Sequence, residues 1–207
     1  RKMPKKEAPL DHLENYLPLG SAALIYEYLH TYKIHLTITR TRKSVLGDYR
    51  HATHEDHHRI SVNGTLNPYA FLLTLIHELG HLITFQQYGN RVLSHGKEWK
   101  LAYRRVLEDF IRLRLFPPDI LETLRASLHN LPASSCSDVS LTRVLKKYDV
   151  DKSVVLVEDL TEGTLFKTAD GRLFKRGRQI RKRIECAEIK TGKIYLFSPV
   201  YEVKQAH

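Results

Sequence analysis

Cysteine is scarce in this sequence, which has only Cys136 and Cys186 among its 207 residues. Disulfide-stapled secreted domains are rich in cysteine, and a structural zinc ribbon needs four ligands that two thiolates cannot supply. We therefore interpret both cysteines as ordinary reduced thiols, and the scarcity excludes a disulfide framework.

Long apolar runs are also missing. The longest strongly apolar stretch, around Phe71 to Ile76, is far shorter than the roughly 18 residues that a membrane-spanning helix needs. The basic segment Arg1–Lys6 is not followed by the apolar core of a signal peptide. We predict a cytoplasmic protein without a membrane partner, associated with the nucleoid if its source is bacterial.

Acidic residues are outnumbered, 23 to 33, by lysine and arginine, and the formal net charge is +10. Such a balance favours a polyanionic partner such as DNA or RNA. The segment 172–183, RLFKRGRQIRKR, is rich in basic residues and contains no acid. Because contacts from lysine and arginine to phosphate supply most non-specific affinity, we predict non-specific DNA binding, with a solvated hairpin face as the alternative. The predicted contact residues are Arg172, Lys175, Arg176, Arg178, Arg181, Lys182 and Arg183.

Helices dominate the first part of the predicted structure. Apolar residues at three- and four-residue steps predict helices over 19–32, 67–88, 96–116 and 119–129. Asn67 is a good N-cap, and Pro68 suits the first helical position. Period-two patterns over 34–40 and 59–64 predict two strands of one small antiparallel sheet, and Gly47–Asp48 indicates a turn between them.

The character of the sequence changes after a predicted linker at 131–135. Short apolar runs separated by glycine and charged turns are typical of a small antiparallel β unit, and they cover 154–157, 163–166, 171–174 and 193–197. We therefore predict an α+β protein with two domains. A mainly helical domain covers 1–131, and a small basic β-rich domain covers 132–207.

A metal-ligand pattern lies inside the second predicted helix, where residues 75–81 read LIHELGH and contain H-E-x-x-H. Residues four apart lie on one helix face, so His77 and His81 can reach one ion, and neutral imidazole suits Zn²⁺. Glu78 can then take a proton from the water that attacks a carbonyl polarised by zinc. We predict one zinc ion per chain with Glu78 as the general base. The alternative is a core helix that carries these residues by chance.

The third metal ligand must come from elsewhere in the chain. A metzincin needs glycine and histidine three and six residues after His81, where Thr84 and Gln87 stand, so that class is excluded. His95 follows a Gly-Asn turn and precedes the next predicted helix, which lets the chain fold back to the metal. We favour His95 as the third ligand, and Glu98 is the alternative.

Two sequence segments, NPYAFLLTLIHELGH at 67–81 and HGKEW at 95–99, together resemble the SprT-like zinc metallopeptidases, which include the Spartan proteases. The resemblance extends over about 19–116 and includes the helix and strands that precede the motif. It implies a zincin-like core in which zinc is held by three histidines and the glutamate is catalytic, namely His77, His81, His95 and Glu78. It also implies proteolysis of DNA-associated proteins, including DNA–protein crosslinks.

The C-terminal part departs from this family. Many SprT-like proteins add a zinc ribbon with four cysteines, whereas Cys136 and Cys186 stand alone here, so a degenerate ribbon that keeps its β scaffold without metal is expected. Two alternatives to a peptidase stay open. One is a nucleic-acid-binding protein with a catalytically inactive zincin fold, in which Glu78 would have no role. The other is a metal-dependent hydrolase of non-peptide substrates.

A second group of histidines occurs in the segment HATHEDHHR at 51–59. A second metal site is one interpretation, and a solvated hairpin tip or exposed edge between two strands is favoured. The segment also precedes the strand expected beside the motif helix, which makes it a candidate for substrate contact. Its members are His51, His54, Glu55, Asp56, His57 and His58.

Overall fold

The computed structural model describes residues 10–39, 45–52, 57–128 and 138–206. The chain divides into two compact units, Arg1–Tyr148 and Asp149–His207. Over the described ranges, five α-helices and two β-sheets occur. The predicted α+β class is therefore confirmed.

The helices all belong to the first unit and follow a 3-10 segment at Leu10–Tyr16. Four of them match predicted helices, and the last, short helix was not predicted. None of the helices in the described part of the chain has the length and apolarity that a membrane crossing requires. They are α1 (Ala22–Thr31), α2 (Pro68–Tyr88), α3 (Lys97–Arg112), α4 (Pro118–Ser127) and α5 (Val139–Lys146).

Helix α5 belongs to the first unit and is hydrogen-bonded to it. Its N-cap Asp138 accepts a hydrogen bond from the Leu141 N–H at 3.0 Å, and its Leu145 carbonyl accepts one from Asn67 Nδ2 at 3.0 Å. The division between the two units accordingly falls after Tyr148. The predicted boundary between 131 and 132, like the predicted linker, lies outside the described residues and stays a prediction.

The small sheet of the first unit has the strand order β1 (Ile34–Thr39), β3 (His58–Asn63), β2 (Gly47–Arg50). The two predicted strands, β1 and β3, share this sheet as expected, but the predicted antiparallel arrangement is wrong because they run parallel. The reason is β2, which was predicted as a turn and pairs antiparallel with β3. β2 runs opposite to β3, and β3 runs in the same direction as β1.

The core of the first unit forms around α2, which packs against β2, β3 and α3. Alternate residues of the strands are buried toward this core, among them Leu36 in β1 and Ile60 in β3. Nearly every residue of α2 from Phe71 to Leu82 is buried. A helix packed in this way is a rigid support for the side chains that it carries.

The second unit contains a six-stranded antiparallel sheet with its own aromatic core, which includes Phe166, Phe174 and Phe197. The predicted antiparallel β unit is therefore confirmed. Cys186 is a buried free thiol in this core, and Cys136 lies outside the described residues, so the degenerate zinc ribbon stays a prediction. In spatial order the strands are β4 (Val154–Leu156), β9 (Glu202–Gln205), β5 (Leu165–Lys167), β6 (Leu173–Ile180), β7 (Arg183–Glu188) and β8 (Ile194–Phe197).

Candidate metal centre

Helix α2 carries two of the three histidines of the candidate site. Its start is fixed because the Asn67 side chain accepts a hydrogen bond from the Ala70 N–H at 3.0 Å and proline occupies the first turn. The helix then continues without interruption to Tyr88. The four-residue spacing therefore brings His77 and His81 to one face, where their Nε2 atoms lie 3.1 Å apart.

His95 reaches the same point from the loop between α2 and α3. Its Nε2 lies 3.3 Å from Nε2 of His77, and the nearest ligand atoms of the three histidines all lie within 4.8 Å of one another. Among the described residues, this is the one group of histidines, cysteines and carboxylates close enough to hold a metal ion. Glu98, the alternative third ligand, is not part of it.

The arrangement of the three nitrogens fits a tetrahedral metal. Zinc with Zn–N bonds of about 2.0–2.1 Å at tetrahedral angles holds its ligand nitrogens roughly 3.3–3.4 Å apart. The distances from His77 Nε2 are 3.1 Å and 3.3 Å. The three histidines are therefore close enough to hold one metal ion, and a three-nitrogen set leaves a fourth position open.

Burial keeps these imidazoles in the neutral form that binds metals. It lowers the pKa of His77 to about 3, with a further contribution from the neighbouring His81 and His95. Burial and the proximity of His95 lower the pKa of His81 to about 4, and burial also lowers the pKa of His95. Since a metal binds the deprotonated nitrogen, the lone pairs of all three stay available at neutral pH.

Glu78 lies next to the histidines on α2 and is covered by β2. Its side chain is buried, with 7% of the residue exposed. A Cβ atom added at Gly47 would lie 2.7 Å from Oε1 of Glu78 and 2.7 Å from Cγ2 of Thr74. Only glycine therefore lets β2 approach the glutamate this closely, a role that the sequence did not reveal because Gly47 looked like a turn residue.

An open cleft of about 450 Å³ leads to the three histidines and Glu78. Its lining comes from β2, from the cleft-facing residues of α2, and from the loop 89–95. The volume falls in the range of about 300–1,000 Å³ that is usual for ligand sites. The candidate metal site is therefore accessible to a ligand from solvent.

The described part of the second histidine group contributes to this cleft. His51 lines it and stacks on Phe85 of α2, with ring centroids 4.3 Å apart. Tyr49 also lines the cleft, and its hydroxyl is hydrogen-bonded to Nδ1 of His58 at 2.9 Å. His54, Glu55 and Asp56 lie outside the described residues. Within the described ranges the group forms no second metal-capable cluster, and His51 is its one described member in the cleft wall.

The predicted nucleic-acid residues fall on and beside the β6–β7 hairpin of the second unit. Two of them are engaged by acids, since Arg172 pairs with Asp170 at 2.8 Å and Arg178 pairs with Glu185 at 3.3 Å. Arg176 is only partly exposed, and its Nε is buried. Four of the seven are exposed and form no ion pair within the described part of the chain, namely Lys175, Arg181, Lys182 and Arg183.

These features define the class of protein. It is an α+β unit in which the central helix carries H-E-x-x-H and the third histidine of the candidate site comes from the loop that follows this helix. Residues 23–120 match the SprT-like family. The chain therefore carries an SprT-like domain over these residues, which make up just under half of its length.

Short segments of the chain are similar to curated proteins named Protein SprT. The protein from Pseudomonas fluorescens (strain Pf0-1) is 42% identical over 50 residues, which are 24% of this chain and 26% of that protein. The protein from Vibrio parahaemolyticus serotype O3:K6 (strain RIMD 2210633) is 63% identical over 35 residues, 16% of this chain and 21% of that protein. The chain thus spans about a quarter or less of the length of these relatives. No solved structure matches the chain significantly.

Proposed function

We propose that this chain is a zinc-dependent metallopeptidase in which His77, His81 and His95 hold one Zn²⁺ and Glu78 is the general base. The observation that supports this most directly is the convergence of three neutral imidazole nitrogens, 3.1 Å and 3.3 Å from His77 Nε2, beside a buried glutamate in an open cleft. When bound, zinc would polarise a carbonyl and lower the pKa of water at the site.

The role proposed for Glu78 is proton transfer. Its carboxylate takes a proton from the attacking water and can return it to the amine that leaves when the peptide bond breaks. Burial under β2 limits the positions that the side chain can adopt. A base held in one place contributes more to catalysis than a mobile one.

The position of β2 favours a peptide as substrate over a non-peptide molecule. β2 is an edge strand of its sheet, paired with β3 in the described structure, and it also lines the cleft. An edge strand offers backbone N–H and C=O groups to which an extended peptide can add as a further strand. A substrate bound in this way would pass over the three histidines.

The proposal is tested by metal analysis of the purified protein together with cleavage of casein and of a DNA-bound protein. We expect one zinc per chain, loss of cleavage after chelation, recovery on adding zinc, and a cleavage rate lower by about 100-fold or more in Glu78→Gln. Zinc binding without any cleavage would favour the inactive zincin that binds nucleic acid. Hydrolysis confined to small non-peptide esters or amides would favour the other alternative.

Gly47→Ala should slow casein cleavage by roughly 10- to 100-fold, since a displacement of about 1 Å at a catalytic group can cost about 100-fold. The added Cβ would lie 2.7 Å from Glu78 Oε1, so either the carboxylate or β2 must move. The measurement is the cleavage rate per bound zinc. Arg50→Ala, an exposed change on the same strand, is the control. A wild-type rate in Gly47→Ala would show that Glu78 is not positioned by β2.

We also propose that the second unit brings the peptidase to DNA through the exposed end of the β6–β7 hairpin. The support is the group Arg181, Lys182 and Arg183 at the hairpin end, with Lys175 further along β6. All four are exposed and form no ion pair in the described structure. Such side chains can contact phosphates without reading the sequence of the bases. Proteins already bound to DNA would then be the substrates.

Changing Arg181, Lys182 and Arg183 together to alanine should weaken binding to unrelated DNA sequences equally. The slope of log affinity against log salt is negative, and each lost phosphate contact reduces its magnitude by about 0.9. We therefore expect a visibly flatter salt dependence in fluorescence anisotropy titrations. Cleavage of casein without DNA should be unchanged.

A matched control removes three other exposed lysines of the same unit, Lys190, Lys193 and Lys204. It changes the net charge equally but spares the hairpin end, so it should retain most of the affinity. Equal loss in both triple variants would indicate that total charge matters rather than the hairpin. Unchanged binding in the hairpin variant would make the basic run a solvated face.

A further inference from the structure

The three histidines share one neighbour from α3, the indole of Trp99. Its ring centroid lies 4.7 Å from that of His77, 4.7 Å from that of His95 and 5.4 Å from that of His81. Trp99 is almost fully buried, with 1% exposed. Because it follows His95 by four residues at the start of α3, one short segment supplies both a candidate ligand and this contact.

The indole is held from two directions. A Cβ atom at Gly80 of α2 would lie 3.1 Å from Nε1 of Trp99 and 3.2 Å from Cβ of Tyr103. Gly80 stands between the two motif histidines in the sequence and has no side chain. This allows α3 and its indole to lie directly against α2 at that position. Tyr103, one turn further along α3, stacks on the indole with centroids 5.1 Å apart and planes 7° from parallel.

Packing alone does not explain a tryptophan at this position. The buried Nε1 of Trp99 has no hydrogen-bond partner among the described residues, and an unpaired buried donor destabilises a fold. Phenylalanine would fill much of the same space without that donor. A property specific to the indole is therefore needed to account for it.

We infer that Trp99 is a positioning residue that holds the three imidazoles around the metal and binds them more strongly once the metal is present. The inference rests on the proposed zinc binding. A coordinated imidazole gives electron density to the cation, so its ring becomes electron-poor. Indole has the most favourable π-face for positive charge among the aromatic side chains, so its contact with the histidines stabilises the metal-bound state.

The order of zinc affinities should therefore be wild type, then Trp99→Phe, then Trp99→Leu. We expect a loss of about 10- to 100-fold for Trp99→Leu, the size usual for residues that orient metal ligands, and a smaller loss for Trp99→Phe. The measurement is competition for zinc against a chromophoric chelator, starting from metal-free protein. Phe110→Leu is the control, because Phe110 is also fully buried on α3 but contacts none of the three histidine rings.

Wild-type affinity in a folded Trp99→Leu protein would overturn the inference, and so would an equal loss in Phe110→Leu. If the Trp99 variants do not fold, Gly80→Ala decides, since its Cβ displaces the indole while leaving every ring in the chain. We expect weaker zinc binding in Gly80→Ala, and unchanged affinity would count against a role for the indole. Failure of wild type to bind zinc would instead overturn the proposed function.

Trp99 is the single tryptophan of the chain, which gives a spectroscopic test independent of activity. Co²⁺, a paramagnetic ion that quenches indole emission only at short range, should quench the fluorescence up to one equivalent, and zinc should displace it and restore emission. His95→Ala should lose this response. Full emission in protein shown by metal analysis to contain one Co²⁺ would place the metal away from Trp99.

Discussion

Glu78→Gln should lower the rate of peptide hydrolysis by about 10²–10⁴-fold, the usual contribution of a general base. Glutamine has nearly the same shape as glutamate, but its amide cannot take up the proton of the attacking water. Zinc content and fold should be retained, because Glu78 is not a member of the three-histidine group. The measurements are casein cleavage, zinc per chain and thermal unfolding on the same preparation.

The control for this change is Glu98→Gln, which makes the same chemical substitution at a glutamate outside the three-histidine group. We expect that variant to cleave casein at the wild-type rate. Full activity in Glu78→Gln would remove the proposed mechanism. Loss of zinc together with activity would mean that Glu78 supports the fold of the site instead of carrying a proton.

Local sequence signals were sufficient to predict the central helix and the spacing of its histidines. Asn67 and Pro68 act within one turn of the helix that they start, and the positions of His77 and His81 follow from helical geometry alone. The closeness of His95 depended on the short connection between two predicted helices, which restricts where the loop can go. Each of these features is set by residues near one another in the chain.

The features that the sequence did not reveal depend on distant contacts. Gly47 has the appearance of a turn residue, and its importance appears only when β2 lies against Glu78. The parallel pairing of β1 with β3 likewise depends on an intervening strand of four residues. In the sequence, Gly80 looks like an ordinary helical glycine. Only the folded structure shows that Trp99 of α3 lies against it. Three-dimensional packing, which local patterns do not encode, decides all of these.

The basic run of the second unit shows the same limitation for charge. In the sequence, all seven basic residues look equally available to a phosphate. In the folded hairpin, however, Glu185 of β7 lies across from Arg178 of β6 and forms an ion pair with it. Arg172 is likewise paired with Asp170, which lies just before the basic segment 172–183. Exposed cationic side chains without an ion-pair partner therefore define a nucleic-acid surface better than the density of basic residues in the sequence does.

His95→Ala should remove most of the bound zinc, whereas Glu98→Ala should retain it. His95 supplies one of three converging nitrogens, 3.3 Å from His77 Nε2, and two imidazoles alone hold zinc far less tightly than three. Glu98 lies in the first turn of α3, where a carboxylate interacts favourably with the helix N-terminus without binding metal. The measurement is zinc per chain after dialysis against a weak chelator.

Thermal unfolding checks the assignment of His95 by a separate route. A ligand that binds only the folded state raises the stability as its concentration exceeds its dissociation constant. Added zinc should therefore raise the Tm of wild type and of Glu98→Ala, and leave that of His95→Ala nearly unchanged. The histidine is in a loop and partly exposed, so its truncation should cost little stability in the metal-free protein. If zinc is lost from Glu98→Ala and kept by His95→Ala, the third ligand is the glutamate, and the protein uses the His-His-Glu set instead.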